Sequence, residues 1–566
     1  IKDTLVPVSG ILKMYFARWK YFGAILLLIW LVAAYLILPS PKCNSGNEEL
    51  IDFQERLRQV SLQLESLKQV NGKLVSQIRR TSSLTGLDTG FLDSSQGPSE
   101  EYENLRRRVF TNTKEYWYFI HNELSTLMKE PGKLEKMEKL IEDTAHRKRS
   151  LLSDMQKLTD LDGYQYWREA EAANVSDLIQ RRLHYLQNPP DCRDARKVIC
   201  HLNKGCGFGC QLHHIVYCLI FAYATERTLI LNSRGWRYNS KGWDYVFHPI
   251  SDTCTTAYDD KVLQWPVTFE AKVISLPFID SLTLKPHFLP LSIPKDLAHR
   301  ITRFNGDPAS WWIGQILKYI LKPKPQMQKA INDTIAKMNF KTPIVGVHVR
   351  RTDKVGTEAA FHHVDEYMRH VKDYYDQLEL VQPVDVRRVY LASDDANVLE
   401  TARKNYPEYS FLGDASISKT AATHRRYTPL SLAGLLVDLH MLAKCDFLVC
   451  TFSSQVGRVA YEMMQANRVD ASESFFSLDD IYYFGGQNAH NRIAVMSHVP
   501  AQGDIAFETG DLIGVAGNHW TGYGKGTNKR TNVDGFIPWY KTNDHLVLYP
   551  FPEYKEVPLY VEKKDT

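Results

Sequence analysis

The sequence predicts an α/β protein organised around Rossmann-type parallel strands, with a helical stem before them and a small all-β module after them. Three observations carry this. Short apolar runs alternate with helical stretches at Thr228–Leu231, Val273–Leu276, Ile344–Val347, Val389–Ala392 and Phe447–Cys450. Ahead of them, apolar residues recur at helical spacing. Beyond Pro500, short runs separated by glycine turns take over. The 566 residues allow roughly three or four domains. With 44% hydrophobic and 24% charged residues, most of the chain can bury a core. A net charge of +4 with mixed signs argues against a dedicated nucleic-acid binder.

Residues 1–20 are expected to be a cytosolic tail. Tyr21 to Leu38 has no charge over 18 residues, enough to cross a bilayer as an anchor. Lys13, Arg18 and Lys20 put the short side in the cytosol and the bulk in a lumen. A cleaved signal peptide is the competing reading, but Leu36-Ile37-Leu38-Pro39 lacks a small-residue cleavage site.

Residues 39–99 are expected to be stem and linker. Leu50, Leu57, Leu64, Asn71 and Ile78 share one heptad position, and Phe53, Val60, Leu67 and Leu74 the other. That is a coiled-coil seam, in which a lone Asn sets register and dimeric state at some cost in stability. A monomeric amphipathic helix is the alternative. Cys43, just before the seam, is placed for an interchain disulfide. Ser, Thr, Gly and Asp dominate 81–99.

Residues 100–190 turn helical again, broken near Pro131-Gly132 and Asp162-Gly163, and are assigned to dimerisation or to packing on the globular part. Asp160-Leu161-Asp162 ends a helical run rather than a strand, so it is read as structural rather than as a cation site. Asn174-Val175-Ser176 and Asn332-Asp333-Thr334 are glycosylation sequons, in keeping with a lumenal address.

Residues 191–342 form a first α/β part. Six of the nine cysteines lie between Cys192 and Cys254. An oxidising lumen favours disulfides over zinc, while His213-His214 keeps a metal site open. Lys204-Gly205-Cys206-Gly207-Phe208-Gly209-Cys210 leads into a helix. Its glycines either cradle an anion at the helix N-terminus or permit a tight Cys206–Cys210 bridge.

Residues 343–499 form a Rossmann-type part. The strand Ile344–Val347 runs into His348-Val349-Arg350-Arg351-Thr352-Asp353-Lys354-Val355-Gly356-Thr357-Glu358. Ligands bind at such strand ends in open α/β sheets. Adjacent guanidinium forks suit phosphate oxygens, and Glu358 is a carboxylate near them. A surface ion-pair network is the bland reading. Asp394-Asp395 and Ser453-Ser454-Gln455 follow the next strands, so three polar clusters share one sheet edge. Plain N-capping is the alternative for each cluster. Asp438 sits in an apolar helix, where a carboxylate needs a partner, either a basic residue or the ligand.

Residues 500–550 carry Phe507–Val515, His519–Gly526 and Asp534-Gly535-Phe536-Ile537-Pro538, a pattern that resembles an SH3 domain. The Ala-Leu-Tyr-Asp-Tyr run that lines proline-binding grooves is missing. Residues 551–566 form a tail.

Taken together, the anchor, stem, arginine block and SH3-like tail resemble the α1,6-fucosyltransferases of N-glycan cores. The match runs from about Glu100 to Tyr549 and is strongest over Gly346–Phe361, Cys450–Val456 and Ser477–Asn491. The resemblance implies a GT-B-like glycosyltransferase of the Golgi membrane, single-pass and type II, dimeric through its helical stem. It implies inverting transfer of fucose from GDP-fucose to O6 of the innermost GlcNAc of GlcNAc-terminated N-glycoproteins, without metal or other cofactor. Arg350 would bind the diphosphate, Glu358 would deprotonate O6, and Lys354 would orient Glu358 or assist at the phosphate. Tyr238, His348, Asp438, Ser454 and Gln455 match donor-pocket positions, and Arg351, Asp353, Tyr367, Asp394, Asp395 and Ser453 complete the expected donor set. Lys204 and Asp280 would face the acceptor, and Asp479, Asp480 and His519 would contact its outer GlcNAc. Implied disulfides are Cys192–Cys254, Cys200–Cys218 and Cys206–Cys210. A fourth family bridge needs a cysteine where Gly457 stands, leaving Cys445–Cys450 as a substitute. A protein O-fucosyltransferase and a non-catalytic lumenal glycan-binding scaffold are the alternatives.

Overall fold

The computed structural model describes residues 97–128, 134–258, 261–352, 356, 360–422, 425–485, 490–501, 503–518 and 520–559. The expected anchor, the coiled coil and Cys43 lie outside them. No helix among the described residues is long and apolar enough to cross a membrane. The expected Golgi-membrane address is corrected accordingly; Tyr21 to Leu38, on which it rested, is not among the described residues.

Helix α1 (Glu100–Leu127) begins where the Ser99 hydroxyl accepts from the Tyr102 N–H at 3.1 Å, with three glutamates in its first turn. Helices α2 (Leu134–Leu161) and α3 (Gln165–Gln187) follow. Asp162, between them, accepts from the Tyr164 N–H at 2.9 Å and pairs with Arg168, which also pairs with fully buried Glu103. Asp162 thus joins the helices, while Asp160 accepts from the Gln156 side chain at 3.0 Å. Val175, Leu178, Ile179 and Leu183 of α3 are fully buried, so this third of the helical region is core packing. By contrast α1 and α2 leave Leu105, Tyr116, Leu151 and Leu158 exposed.

The apolar runs divide between two parallel sheets. Strands β1 (Lys197–His201), β2 (Thr228–Asn232), β3 (Val262–Gln264) and β4 (Val273–Ser275) make the first, in the order β2-β1-β4-β3. Helix α4 (Phe208–Ala224) connects β1 to β2. After a two-residue strand β5 (Ile293–Pro294) come α5 (Lys295–Thr302), α6 (Pro308–Ile320) and α7 (Pro325–Lys337). Asp307 caps α6, and Pro308 opens it, where a missing N–H costs nothing. Trp311 and Trp312 of α6 are buried and bind the helices together, each burial contributing about 3 kcal/mol.

The second sheet contains β6 (Ile344–Val349), β7 (Arg388–Ser393), β8 (Ser410–Leu412), β9 (Phe447–Cys450) and β10 (Phe475–Ser477), ordered β10-β9-β6-β7-β8. Its crossovers are α8 (Val364–Leu378), α9 (Asn397–Asn405), α10 (Ala415–Ala421), α11 (Pro429–Lys444) and α12 (Gln455–Asn467). Every residue of β6 is buried, as befits a central strand covered on both faces.

An antiparallel sheet closes the chain: β11 (His490–Ala494), β12 (Leu512–Asn518), β13 (Tyr523–Asn528), β14 (Val533–Pro538) and β15 (Thr542–Asp544), ordered β14-β13-β12-β11-β15. Its core holds Ala494, Ile505, Phe507, Ile513, Ile537 and Trp539. Since β11 belongs to this sheet, the module starts about ten residues before the expected boundary at 500. Strand β16 (Leu548–Tyr549) then pairs with β5. The Tyr554 hydroxyl donates to the Tyr223 carbonyl at 2.7 Å, so the start of the expected tail is packed.

The bridges Cys192–Cys254, Cys200–Cys218 and Cys206–Cys210 are formed, as the resemblance implied. The Cys200–Cys218 bridge occupies the sulfurs that lie nearest His214 in the metal-type cluster found among the described residues. Cys445 and Cys450 are free and buried, which corrects the expected bridge. Cys445 precedes β9 and Cys450 ends it, and an extended strand advances about 3.3 Å per residue, which carries them far beyond disulfide reach. The Cys445 thiol instead donates to the Met441 carbonyl at 3.2 Å.

Candidate active site

A cavity of about 580 Å³ opens where the loops after β1, β6, β7 and β9 meet, at the carboxyl edges of both parallel sheets. Lys204, Tyr238 and Asp280 line it from the first part, and His348, Arg350, Asp394, Asp438, Ser453, Ser454 and Gln455 from the second. Ten of the predicted residues are therefore gathered in one place.

Arg350 leaves the end of β6 and ion-pairs with Asp394 at the end of β7. The other Asp394 oxygen accepts from the Arg351 N–H at 2.7 Å, and the Thr352 hydroxyl also donates to this carboxylate. Thr352 has φ +48°. A β-branched residue in that region costs about 1–3 kcal/mol, and the Asp394 contacts hold it there. Asp394 thus aims the guanidinium and shapes the loop.

Two helices add their positive ends to this cavity. A Cβ on Gly209 would stand 3.1 Å from the Gln455 Cβ, so the missing side chain lets the N-terminal turns of α4 and α12 touch. Both N-termini therefore lie at the cavity, where their free N–H groups and dipoles favour an anion. Ser454 is the N-cap of α12, but its side chain makes no capping bond. The buried Ser453 hydroxyl and the Gln455 side-chain oxygen have no partner among the described residues. Plain capping therefore does not account for this cluster.

Deeper in, one oxygen of Asp438 accepts from the Tyr390 hydroxyl at 2.6 Å, and burial pushes its carboxyl up to about 7. The choice between partner and ligand left open by the sequence resolves into a tyrosine partner on a cavity-lining residue. Burial likewise pushes the His348 imidazole down to about 4, leaving it neutral. The Tyr238 hydroxyl accepts from the Phe208 N–H at 3.0 Å, and burial pushes the phenol up to about 12. Lys204 and Asp280 ion-pair with each other.

Five predicted site residues do not line this cavity. Arg351 turns back to stack over Phe361 at 3.9 Å, because successive residues of a strand end face opposite ways. Tyr367 is in the core of the second sheet. Asp395 accepts from the Asn397 N–H at 2.9 Å and so serves the start of α9. Asp479 accepts from the Phe452 and Asp480 N–H groups at 2.8 and 2.7 Å, pinning the loop that carries Ser453. Asp480 accepts from the Ile481 N–H at 2.9 Å. Asp353, Lys354, Glu358 and His519 lie outside the described residues.

Arg426, Tyr427 and Ser431 also line the cavity and were not singled out from the sequence. The Arg237 guanidinium stands 3.6 Å over the Tyr427 ring, joining the two halves across the opening. Their signal was Arg425-Arg426-Tyr427 immediately before the helix-opening Thr428-Pro429.

The family described as alpha-(1,6)-fucosyltransferase N- and catalytic domains matches residues 86–483. A Drosophila melanogaster alpha-(1,6)-fucosyltransferase is 50% identical over 477 residues, covering 83% of this chain and 77% of that protein. A Caenorhabditis elegans alpha-(1,6)-fucosyltransferase is 38% identical over 455 residues, 79% of each chain. The crystal structure of the Bradyrhizobium fucosyltransferase NodZ is similar over 47% of this chain and 92% of its own, at 18% identity and a TM-score of 0.30. By the extent and identity of these sequence matches, the chain belongs to the alpha-(1,6)-fucosyltransferase family.

Proposed function

We propose that this protein transfers fucose from GDP-β-L-fucose to O6 of the innermost Asn-linked GlcNAc of N-glycans, with inversion. One observation carries the reading: Arg350, held in direction by Asp394, shares a cavity with the converging N-termini of α4 and α12. A permanent cation and two positive helix ends suit a nucleoside diphosphate leaving group. They offset its developing charge without calling on a metal ion. Ser453, Ser454 and Gln455 would donate to phosphate oxygens, and the deeper Asp438 and His348 suit the nucleoside.

Glu358 is assigned the proton of O6, with Lys354 and Asp353 assisting; all three belong to the sequence segment that follows Arg350. Lys204 and Asp280 would meet the acceptor sugar, and Asp479, Asp480 and His519 its outer GlcNAc. The antiparallel sheet with its Gly535-Phe536-Ile537-Pro538 strand supports an SH3-like module beside that sugar. Exposed Leu105, Tyr116, Leu151 and Leu158 support dimerisation through α1 and α2.

Incubation with GDP-fucose and a GlcNAc-terminated N-glycan, followed by linkage mapping, tests this. Fucose on O6 of the innermost GlcNAc is expected. Transfer to a peptide hydroxyl instead would replace the proposal with protein O-fucosylation, and binding without turnover would leave a scaffold.

A further inference from the structure

His213 takes no part in the chemistry above, yet it is built into the cavity wall. It lies in the second turn of α4, lines the cavity and is 2% exposed. Its Nε2 stands 3.0 and 3.1 Å from the two carboxylate oxygens of Glu462 on α12. Glu462 is fully buried and accepts a further hydrogen bond, at 2.7 Å, from the Tyr482 hydroxyl. A carboxylate can only accept there, so Nε2 carries a proton. Nδ1 is then the ring nitrogen left for a ligand. It is buried and has no hydrogen-bond partner among the described residues. A buried polar atom left unpaired is destabilising, so this position favours a ligand with a hydrogen-bonding group.

Its neighbours narrow the ligand. A Cβ on Gly485 would stand 3.6 Å from Nδ1 and 3.4 Å from the Gln455 side-chain nitrogen. The glycine therefore leaves both atoms open to the same space. Gln455 begins α12, beside the proposed diphosphate. The group bonded to the far end of a sugar nucleotide's diphosphate is the sugar. A sugar hydroxyl both donates and accepts, so it can pair with Nδ1 there.

We infer that His213 recognises the donor sugar: its Nδ1 forms a hydrogen bond with a ring hydroxyl of the fucosyl group, while Glu462 and Tyr482 position the imidazole from behind. This rests on the GDP-fucose reading. It separates a sugar-reading residue from the groups that hold the nucleotide.

The full chain and its His213→Ala, His213→Asn and Glu462→Gln variants are compared by calorimetric GDP binding. Kinetics follow, with GDP-fucose and with donors in which one ring hydroxyl is replaced by hydrogen. His213→Ala keeps its GDP Kd within about twofold and loses roughly 10- to 100-fold in kcat/KM with GDP-fucose. Wild type rejects one deoxy donor, and His213→Ala accepts that donor and GDP-fucose alike. His213→Asn, with a carbonyl oxygen near the Nδ1 position, recovers part of the loss. Glu462→Gln removes the carboxylate that positions the imidazole, so it too loses part of the discrimination. Equal weakening of GDP binding in His213→Ala, or unchanged rejection of the deoxy donor, overturns the assignment. Wild type that binds no GDP overturns the fucosyltransfer reading instead, so the two failures are distinguishable.

Discussion

Replacing Asp394 by Asn tests whether this carboxylate serves Arg350 or competes with the donor for it. The two side chains are 8% and 14% exposed, so solvent screens the pair only weakly. Asn keeps an oxygen for the Arg351 N–H, now bonded at 2.7 Å, and loses the charge. A hydrogen bond to a charged group contributes about 1.5–3 kcal/mol and a neutral one about 1 kcal/mol, a difference of about 1–2 kcal/mol. If the guanidinium is loosened by that amount in the transition state, kcat/KM for GDP-fucose falls roughly 5- to 30-fold. Asp394→Ala leaves the Arg350 charge without this partner and costs more, about 3 kcal/mol or above. Steady-state kinetics, calorimetric GDP titration and urea midpoints measured side by side separate aim from stability. An Asn variant that turns over as fast as wild type and binds GDP more tightly would refute the reasoning, because Asp394 would then be a competing anion.

Glu115 is buried, one of its carboxylate oxygens has no partner among the described residues, and burial pushes its carboxyl from 4.5 up to about 7. Its folded pKa is raised above the unfolded value, so its stabilising contribution is full at low pH and is lost as pH rises from about 4.5 to 7; Glu115→Gln should flatten that decline in urea midpoints, and an unchanged pH profile would sink the assignment. Gly209→Ala forces a methyl against Gln455 at 3.1 Å, which should cost about 1–3 kcal/mol of packing and weaken GDP binding about tenfold or more; a GDP affinity equal to wild type would contradict the convergence of the two helix ends. Cys445 and Cys450 should both alkylate in denaturant without reductant and resist alkylation in the native state, whereas a peptide carrying a Cys445–Cys450 bridge would contradict the fold. Gly457→Cys should bond to Cys450, since a Cβ there would stand 3.3 Å from the Cys450 Cβ; a variant with both thiols still titratable would count against that geometry.

Much of the catalytic core was legible because its signals are local. A strand covered on both faces must be apolar throughout, so Ile344–Val349 announces itself without knowledge of its neighbours. The residue that follows such a strand must lie at its carboxyl edge, which is why Arg350, Asp394 and Ser453 could be gathered before any coordinates. Arg351 illustrates the limit. Sequence offers two adjacent arginines of equal chemistry; the backbone direction gives one to the cavity and the other to Phe361.

The sequence by itself determined the alternation of strands and helices, the edge on which the charged clusters fall, and membership of a family, since periodicity and motif are properties of the chain alone. Only the tertiary structure decided that Asp394 holds Arg350, that Gly209 lets two helices 246 residues apart in sequence, at 209 and 455, meet at their N-termini, and that His213 is backed by Glu462. It also decided that Cys445 and Cys450 stay apart. Each of these depends on distances between segments remote in sequence, which are fixed by how sheets and helices stack and not by the residues on either side.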